Sequence, residues 1–118
     1  MSEDLVALRH VLEAIQLIDQ YASAGHAEYL HHSHLRDSIV RRLEIIGEAS
    51  KRLSARCREL APEVQWRRVA GLRDILIHRY WEVDEDQVWK IVERDLPVLK
   101  TAVLRLLEAF DRQGCGEP

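Results

Sequence analysis

Apolar residues in this chain recur at three- and four-residue intervals, and no stretch alternates cleanly between apolar and polar side chains. An α-helix gathers positions at that spacing onto one face, whereas a half-buried strand needs a period of two. Leu5, Leu8, Leu12, Ile15 and Ile18 form a first stripe, with Asp4 near its start and Gly25 as a C-terminal stop. A histidine-rich connection follows, and a second helix is expected from about Leu35 to Arg58, with Ile39, Leu43, Ile46 and Leu53 on its apolar side. Gly47 lies inside that helix. Glycine there costs about 1 kcal/mol against alanine, so its presence predicts close approach of another helix.

Ala61-Pro62-Glu63 reads as a loop, and a third helix is expected from about Gln65 to Ile77 with Val69, Leu72 and Leu76 inward. Asp84 and Gln87 have the spacing of a capping box, which starts a fourth helix. Pro97 interrupts that helix's apolar pattern and should kink or end it, with Asp95 capping a restart. Val98, Val103, Leu106, Leu107 and Phe110 continue the apolar side, and the tail from about Arg112 is expected to fray. The expected fold is all-α: a single domain over residues 1–118, built as an antiparallel four- to five-helix bundle.

With 118 residues the chain can bury a core without disulfides or a structural metal. Cys57 and Cys115 form no CxxC pair, the N-terminus is acidic where a signal peptide is basic, and no apolar run reaches membrane-spanning length. A reduced cytoplasmic protein with no membrane role is the expectation. Net charge is −3, but it is unevenly spread: residues 1–30, 31–79 and 80–118 carry −4, +5 and −4. Clustered arginine and lysine is the footprint of a polyanionic partner, and equally of a solvated helix face with mixed charges.

The basic segment contains Arg73-Asp74-Ile75-Leu76-Ile77-His78-Arg79-Tyr80. Arg73 is a permanent cation that can fork onto phosphate. His78 can exchange a proton near neutral pH, and the Tyr80 hydroxyl can bond a substrate or accept a modification. On a straight helix Arg73 and Tyr80 lie on nearly the same side and Asp74 neighbours His78. Arg73 and His78, five residues apart, are separated by about 140°. They converge only if the helix unwinds near His78 or a second molecule completes the site. The plainer alternative is that Arg73 pairs with an acid, Asp74 orients His78 and Tyr80 packs.

Arg73, His78 and Tyr80 resemble the R-x4-6-H-x-Y signature of HepT-type toxins in the HEPN superfamily. Leu43-Glu44-Ile45-Ile46-Gly47-Glu48-Ala49 is similar to that family's central helix, and Trp66 to Asp74 to the approach to its motif. Val83-Asp84, Val88-Trp89 and Asp95-Leu96-Pro97 fit the helix beyond. The resemblance spans roughly residues 5–110. It implies a homodimer whose two motifs face a shared cleft, and metal-independent RNA cleavage by Arg73 and His78 without a cofactor. Asp74 and Tyr80 would support the site. It also implies a type VII toxin–antitoxin pair in which an MntA-like minimal nucleotidyltransferase antitoxin silences the toxin by transferring AMP to Tyr80. A tRNA target fits the resemblance, although no residue specifies one. The alternative is a non-catalytic nucleotide-binding or substrate-binding partner subunit of such a nucleotidyltransferase.

Other residues admit two readings. Arg79, Trp81 and Arg42 are candidate nucleic-acid contacts. Arg36, Arg41, Lys51 and Arg52, with Arg42, would form either an RNA-tracking face or a salt-bridged surface. Trp66 and Trp89 fit core or interface anchors better than base-stacking platforms. Glu48 either pairs with a motif arginine or is simply exposed. His31, His32 and His34 fit an exposed connection better than a zinc site, because no cysteine or acid stands at a familiar ligand spacing. His10 reads as a surface or interface residue.

Overall fold

A computed structural model describes residues 3–78 and 84–114. In chain order the helices are α1 (Glu3–Ala22), α2 (His26–His31), α3 (Ser33–Ser50), α4 (Ala55–Glu59), α5 (Trp66–His78), α6 (Glu85–Lys90) and α7 (Leu96–Gly114). A π-helical turn, Ile91–Asp95, joins α6 to α7. The all-α bundle expected from the periodicity is what forms, and the described residues include no strand. The long helices are α1, α3, α5 and α7. Helix α3 is the central member and packs against both α1 and α5, and α7 crosses α1.

The core follows the stripes. Leu8, Val11, Ile15 and Ile18 of α1 face Ile39, Leu43 and Ile46 of α3, and all are fully buried. Leu72 and Leu76 of α5 and Leu99, Val103 and Leu106 of α7 complete it. Among the described residues, no helix is long and apolar enough to cross a membrane. Helix α1 ends at Ala22, and Gly25, expected as its stop, instead precedes α2 as its N-cap with φ of 97°, a conformation that glycine adopts without strain.

Several expectations are corrected. The second helix ends at Ser50, not Arg58. Ser54 takes extended backbone and its hydroxyl accepts from Cys57 N (3.1 Å), starting the separate helix α4. The Asp4 carboxylate accepts from both Ser54 N and Ser54 Oγ (2.7 Å each), which ties the start of α1 to that cap. A serine with two such partners makes leaving the helix cheaper than continuing it.

The histidine-rich connection is not simply a loop: it contains α2, whose Tyr29 is 1% exposed. At Pro97 the helical path is not cut: α6 ends at Lys90, a π-helical turn spans Ile91–Asp95 and α7 begins at Leu96. Leu96 N–H donates to the Ile91 carbonyl, five residues back, and the chain runs on into α7. Proline lacks an N–H and its ring clashes with the carbonyl four residues earlier in a regular α-helix. The wider π-turn relieves that clash. Asp95 is therefore no cap, and its carboxylate pairs with Arg68 at 3.2 Å. Val98, finally, is 46% exposed rather than in the core.

Asp84 does cap α6, accepting from Asp86 N at 2.8 Å. Trp66 anchors the Ala61-Pro62-Glu63 loop, its Nε1 donating to the carbonyls of Ala61 (3.0 Å) and Arg58 (3.1 Å).

Candidate active site

The site begins at a glycine. A Cβ on Gly47 would stand 2.9 Å from Arg73 N, 3.1 Å from the Val69 carbonyl oxygen and 3.4 Å from Arg73 Cβ. The backbones of α3 and α5 thus touch at Gly47, the close approach its position in the helix predicted. The residue across this contact is Arg73, and the next residue on α3 is Glu48. Packing at the glycine therefore sets the motif arginine over a carboxylate.

Glu48 is the partner: Arg73 Nε donates to Glu48 Oε1 at 2.9 Å. Arg73 Nη1 lies 3.6 Å from Asp74 Oδ1, and Lys51 Nζ is 3.4 Å from the same oxygen. Glu48, Arg73, Asp74 and Lys51 form a chain of alternating charge across the α3–α5 crossing. All four side chains are more than one-third exposed, where such pairs contribute about 0–1 kcal/mol each. Their effect is to orient rather than to stabilise. Asp74 is engaged by Lys51 and Arg73. Its expected bond to His78 lies outside the described residues, as do the His78 side chain and all of Arg79, Tyr80 and Trp81.

Helix α5 continues as far as His78. Its helical path leaves Arg73 and His78 about 140° apart around the axis. Unwinding between these two positions is thereby removed as a route to convergence.

Both flanks of the motif segment rest on the α2–α3 unit. Upstream, α5 sits on Gly47. Downstream, the Tyr29 hydroxyl donates to the Glu85 carbonyl (2.8 Å), and Arg36 Nε meets Glu85 Oε1 (3.0 Å). Arg36 also donates to the carbonyls of Tyr29 (3.2 Å) and Leu30 (2.6 Å). Trp89 stacks near Tyr29 and His26, with ring centroids 4.9 and 5.0 Å away. Trp89 and Trp66 are both buried, as anchors should be. Burial, reinforced by the Glu85 carboxylate, pushes the Tyr29 phenol up to about 12. Tyr29 and His26 gave no sequence signal, because nothing in a histidine-rich stretch marks which ring turns inward.

The basic candidates separate. Arg36 fastens α6, Arg41 approaches Glu44 (3.5 Å) and Lys51 meets Asp74. Arg42 is half-buried on α3 and has no ion pair among the described residues. Arg41 and Arg52 join Arg73, His10, Glu44 and Glu48 around a concavity of about 200 Å³. His31, His32 and His34 are exposed, with His32 Nε2 2.8 Å from Glu28. Among the described residues, no three histidine, cysteine or acidic side chains are grouped to hold a metal ion. Burial and the nearby Asp4 carboxylate push the Cys57 thiol up to about 11, so it packs as a small apolar residue.

The crossing at Gly47 and the Arg73–Glu48 pair fix the start of the Arg73–Tyr80 segment against α3. The ribonuclease HepT-like family model matches residues 11–106. The chain belongs to the HepT-like ribonuclease family. It is 38% identical over 108 residues to a gamma-glutamylcyclotransferase and candidate RNase of Methanocaldococcus jannaschii, covering 91% of this chain and 49% of that protein. The chain thus spans about half the length of that relative. It is 39% identical over 97 residues to a candidate RNase of the same organism, covering 81% of this chain and 89% of the relative. A candidate ribonuclease HepT of Thermococcus cleftensis is 40% identical over 94 residues, covering 79% and 86%. No solved structure matches the chain at a significant level. Within the HepT-like family, the aligned region contains the crossing, the Glu48 partner and the whole Arg73–Tyr80 segment.

Proposed function

We propose that this HepT-like protein is an RNA endonuclease that works as a homodimer without a metal or cofactor. We further propose that it is the toxin of a toxin–antitoxin pair. The observation that carries the reading is Arg73, held by Glu48 2.9 Å away at the Gly47 crossing on the helix that bears His78.

RNA contains its own nucleophile. In this reading His78 removes the 2′-hydroxyl proton, and the 2′-oxygen bonds to the adjacent phosphorus as the bond to the 5′-oxygen breaks. The departing oxygen takes a proton from solvent or from a protonated imidazole. Negative charge grows on the phosphoryl oxygens, and Arg73 stabilises it. Glu48 sits on Nε, and a phosphate that binds the terminal nitrogens of Arg73 would compete only with the longer, exposed contact of Nη1 to Asp74 (3.6 Å). Because Arg73 and His78 occupy different sides of one helix, a second protomer supplies the complementary group, which supports the dimer.

Tyr80, two residues beyond His78, suits control by AMP transfer from an MntA-like nucleotidyltransferase. Its phenolic oxygen would bond to the α-phosphorus of ATP as the bond to pyrophosphate breaks and the phenolic proton is lost. The product would carry a bulky anion seven positions from Arg73 in the same motif and block RNA by volume and by charge. ATP and RNA as reactants assign the protein to the cytoplasm.

The test is cleavage of a structured RNA by purified protein in excess chelator. Arg73→Ala and His78→Ala are each expected to abolish cleavage while keeping the helical circular dichroism and the dimer. Cleavage retained by either folded variant rejects the assignment. Intact mass after co-expression with the neighbouring nucleotidyltransferase should show AMP-sized additions that vanish in Tyr80→Phe. Their absence would shift the reading to direct inhibition or to the nucleotide-binding partner subunit.

A further inference from the structure

The concavity lined by His10, Arg41, Glu44, Glu48, Arg52 and Arg73 shares Arg73 and its partner Glu48 with the chemistry above, and its other residues have no role there. Its two kinds of charge are not mutually satisfied. The Glu44 side chain is only 16% exposed, yet its one ion-pair contact among the described residues is Arg41 at 3.5 Å, and Arg41 is 69% exposed. A carboxylate offers about four lone-pair sites, and Glu44, with a single long protein contact, keeps acceptor capacity that is left to solvent at the wall of the concavity. Arg52 is exposed and forms no ion pair among the described residues. Arg73 uses Nε on Glu48 and sets Nη1 at 3.6 Å from Asp74, and it also lines the concavity. The floor between these groups is Ile45 and Ala49.

Guanidinium donors beside an under-used carboxylate acceptor match one chemical unit: a phosphate joined to a sugar that bears a hydroxyl donor. The volume, about 200 Å³, is below the roughly 300 Å³ at which pockets hold whole small molecules. It suits a single sugar-phosphate with its base outside. A 2′-hydroxyl is the group by which a protein distinguishes RNA from DNA.

We propose that this concavity is a ribonucleotide subsite next to the reacting phosphate. Arg52 and Arg41 bind the phosphate, and Glu44 accepts from the 2′-hydroxyl. The proposal rests on the ribonuclease reading for its substrate class. Arg73, common to both, makes the subsite continuous with the cleavage position. The subsite is therefore a source of RNA-over-DNA selectivity in binding, separate from the requirement for a 2′-nucleophile in catalysis.

The experiment measures fluorescence anisotropy of labelled single-stranded RNA and of the DNA of the same sequence, on full-length His78→Ala protein. Arg52→Ala in that background should weaken both ligands about 5- to 10-fold and reduce the slope of log affinity against log salt by about 0.7, one phosphate contact on a single strand. Glu44→Ala should weaken RNA alone, bringing the RNA-to-DNA affinity ratio to near one. The exposed-site variant Arg52→Glu, which is not expected to disturb folding, should lower both affinities further. Unchanged affinity and salt slope in folded Arg52→Ala, an unchanged ratio in Glu44→Ala, or no RNA binding by the parent protein would each overturn the subsite. Cleavage by the wild-type chain is scored separately. A protein that binds as described but does not cut loses the ribonuclease reading and keeps the subsite, whereas one that cuts while both variants bind normally loses only the subsite.

Discussion

Gly47→Ala tests the frame of the site, because the added methyl would be aimed at backbone. Its Cβ would lie 2.9 Å from Arg73 N and 3.1 Å from the Val69 carbonyl oxygen. Both atoms belong to α5 and neither can rotate away, so the helix must shift by several tenths of an ångström. Two effects oppose. Alanine gains about 1 kcal/mol of helix propensity over glycine, and forced overpacking costs about 1–3 kcal/mol. The expected net is a loss of about 1 kcal/mol, which in a chain of 118 residues lowers the melting temperature by about 4 °C. The shift also carries Arg73 away from Glu48, and misplacement approaching 1 Å can cost about 100-fold in rate. Gly71→Ala is the matched control: it lies on the same α5, its Cβ meets nothing within 4 Å, and it should gain about 0.5–1 kcal/mol. Thermal melts of both variants, with RNA cleavage measured in parallel, decide the matter. If Gly47→Ala were stabilised like Gly71→Ala and kept full activity, the close crossing would not be what positions Arg73.

Glu48→Ala should change stability by less than about 0.5 kcal/mol, as an exposed pair does, yet lower cleavage by about 10-fold or more because Arg73 loses its orienting partner; wild-type turnover in the variant would show that Glu48 has no such role. Tyr29→Phe removes the bond to the Glu85 carbonyl and should cost about 1 kcal/mol by urea titration. The folded protein raises Tyr29 from 10.0 to about 12 and Cys57 from 9.0 to about 11. The unfolded chain therefore holds fewer protons than the folded one as pH rises, and stability that is complete below pH 9 is lost between 9 and 12. Tyr29→Phe should flatten the upper part of that loss, and an unaltered alkaline profile would dismiss the assignment. Ser54→Ala deletes the α4 cap and one bond to Asp4 and should cost about 1 kcal/mol, read as a shifted denaturation midpoint with unchanged slope.

Much of the site's frame could be read before folding was considered, because it depends on local rules. Gly47 announced a helix contact by being a poor helix former in an otherwise helical run, and Asp84 announced α6 by its capping chemistry. Glu48 could be narrowed to pairing or exposure but not resolved. Its partner lies 25 positions away in the chain, and only the crossing angle of α3 and α5 brings the two together. The stop at Ser50 was hidden for a related reason: Ser54 leaves the helix because Asp4, 50 positions earlier in the chain, accepts its N–H and hydroxyl protons. The π-turn was hidden because a proline in a helical pattern has several solutions. A kink, a stop and an extra residue in the turn all relieve the same clash.

The sequence by itself determined the helical class, because a 3.6-residue period of apolar side chains can bury its stripe in no other regular element. It also determined the chemistry available: a guanidinium, an imidazole and a phenol in one segment. Only the tertiary structure decided which acid holds Arg73, that α6 is fastened by Tyr29 and Arg36, and that Arg41, Arg52 and Glu44 share a concavity with the motif arginine. Those are relations between helices. They depend on where backbones cross, and crossing is set by the shape of the packed faces rather than by the order of residues along any one of them.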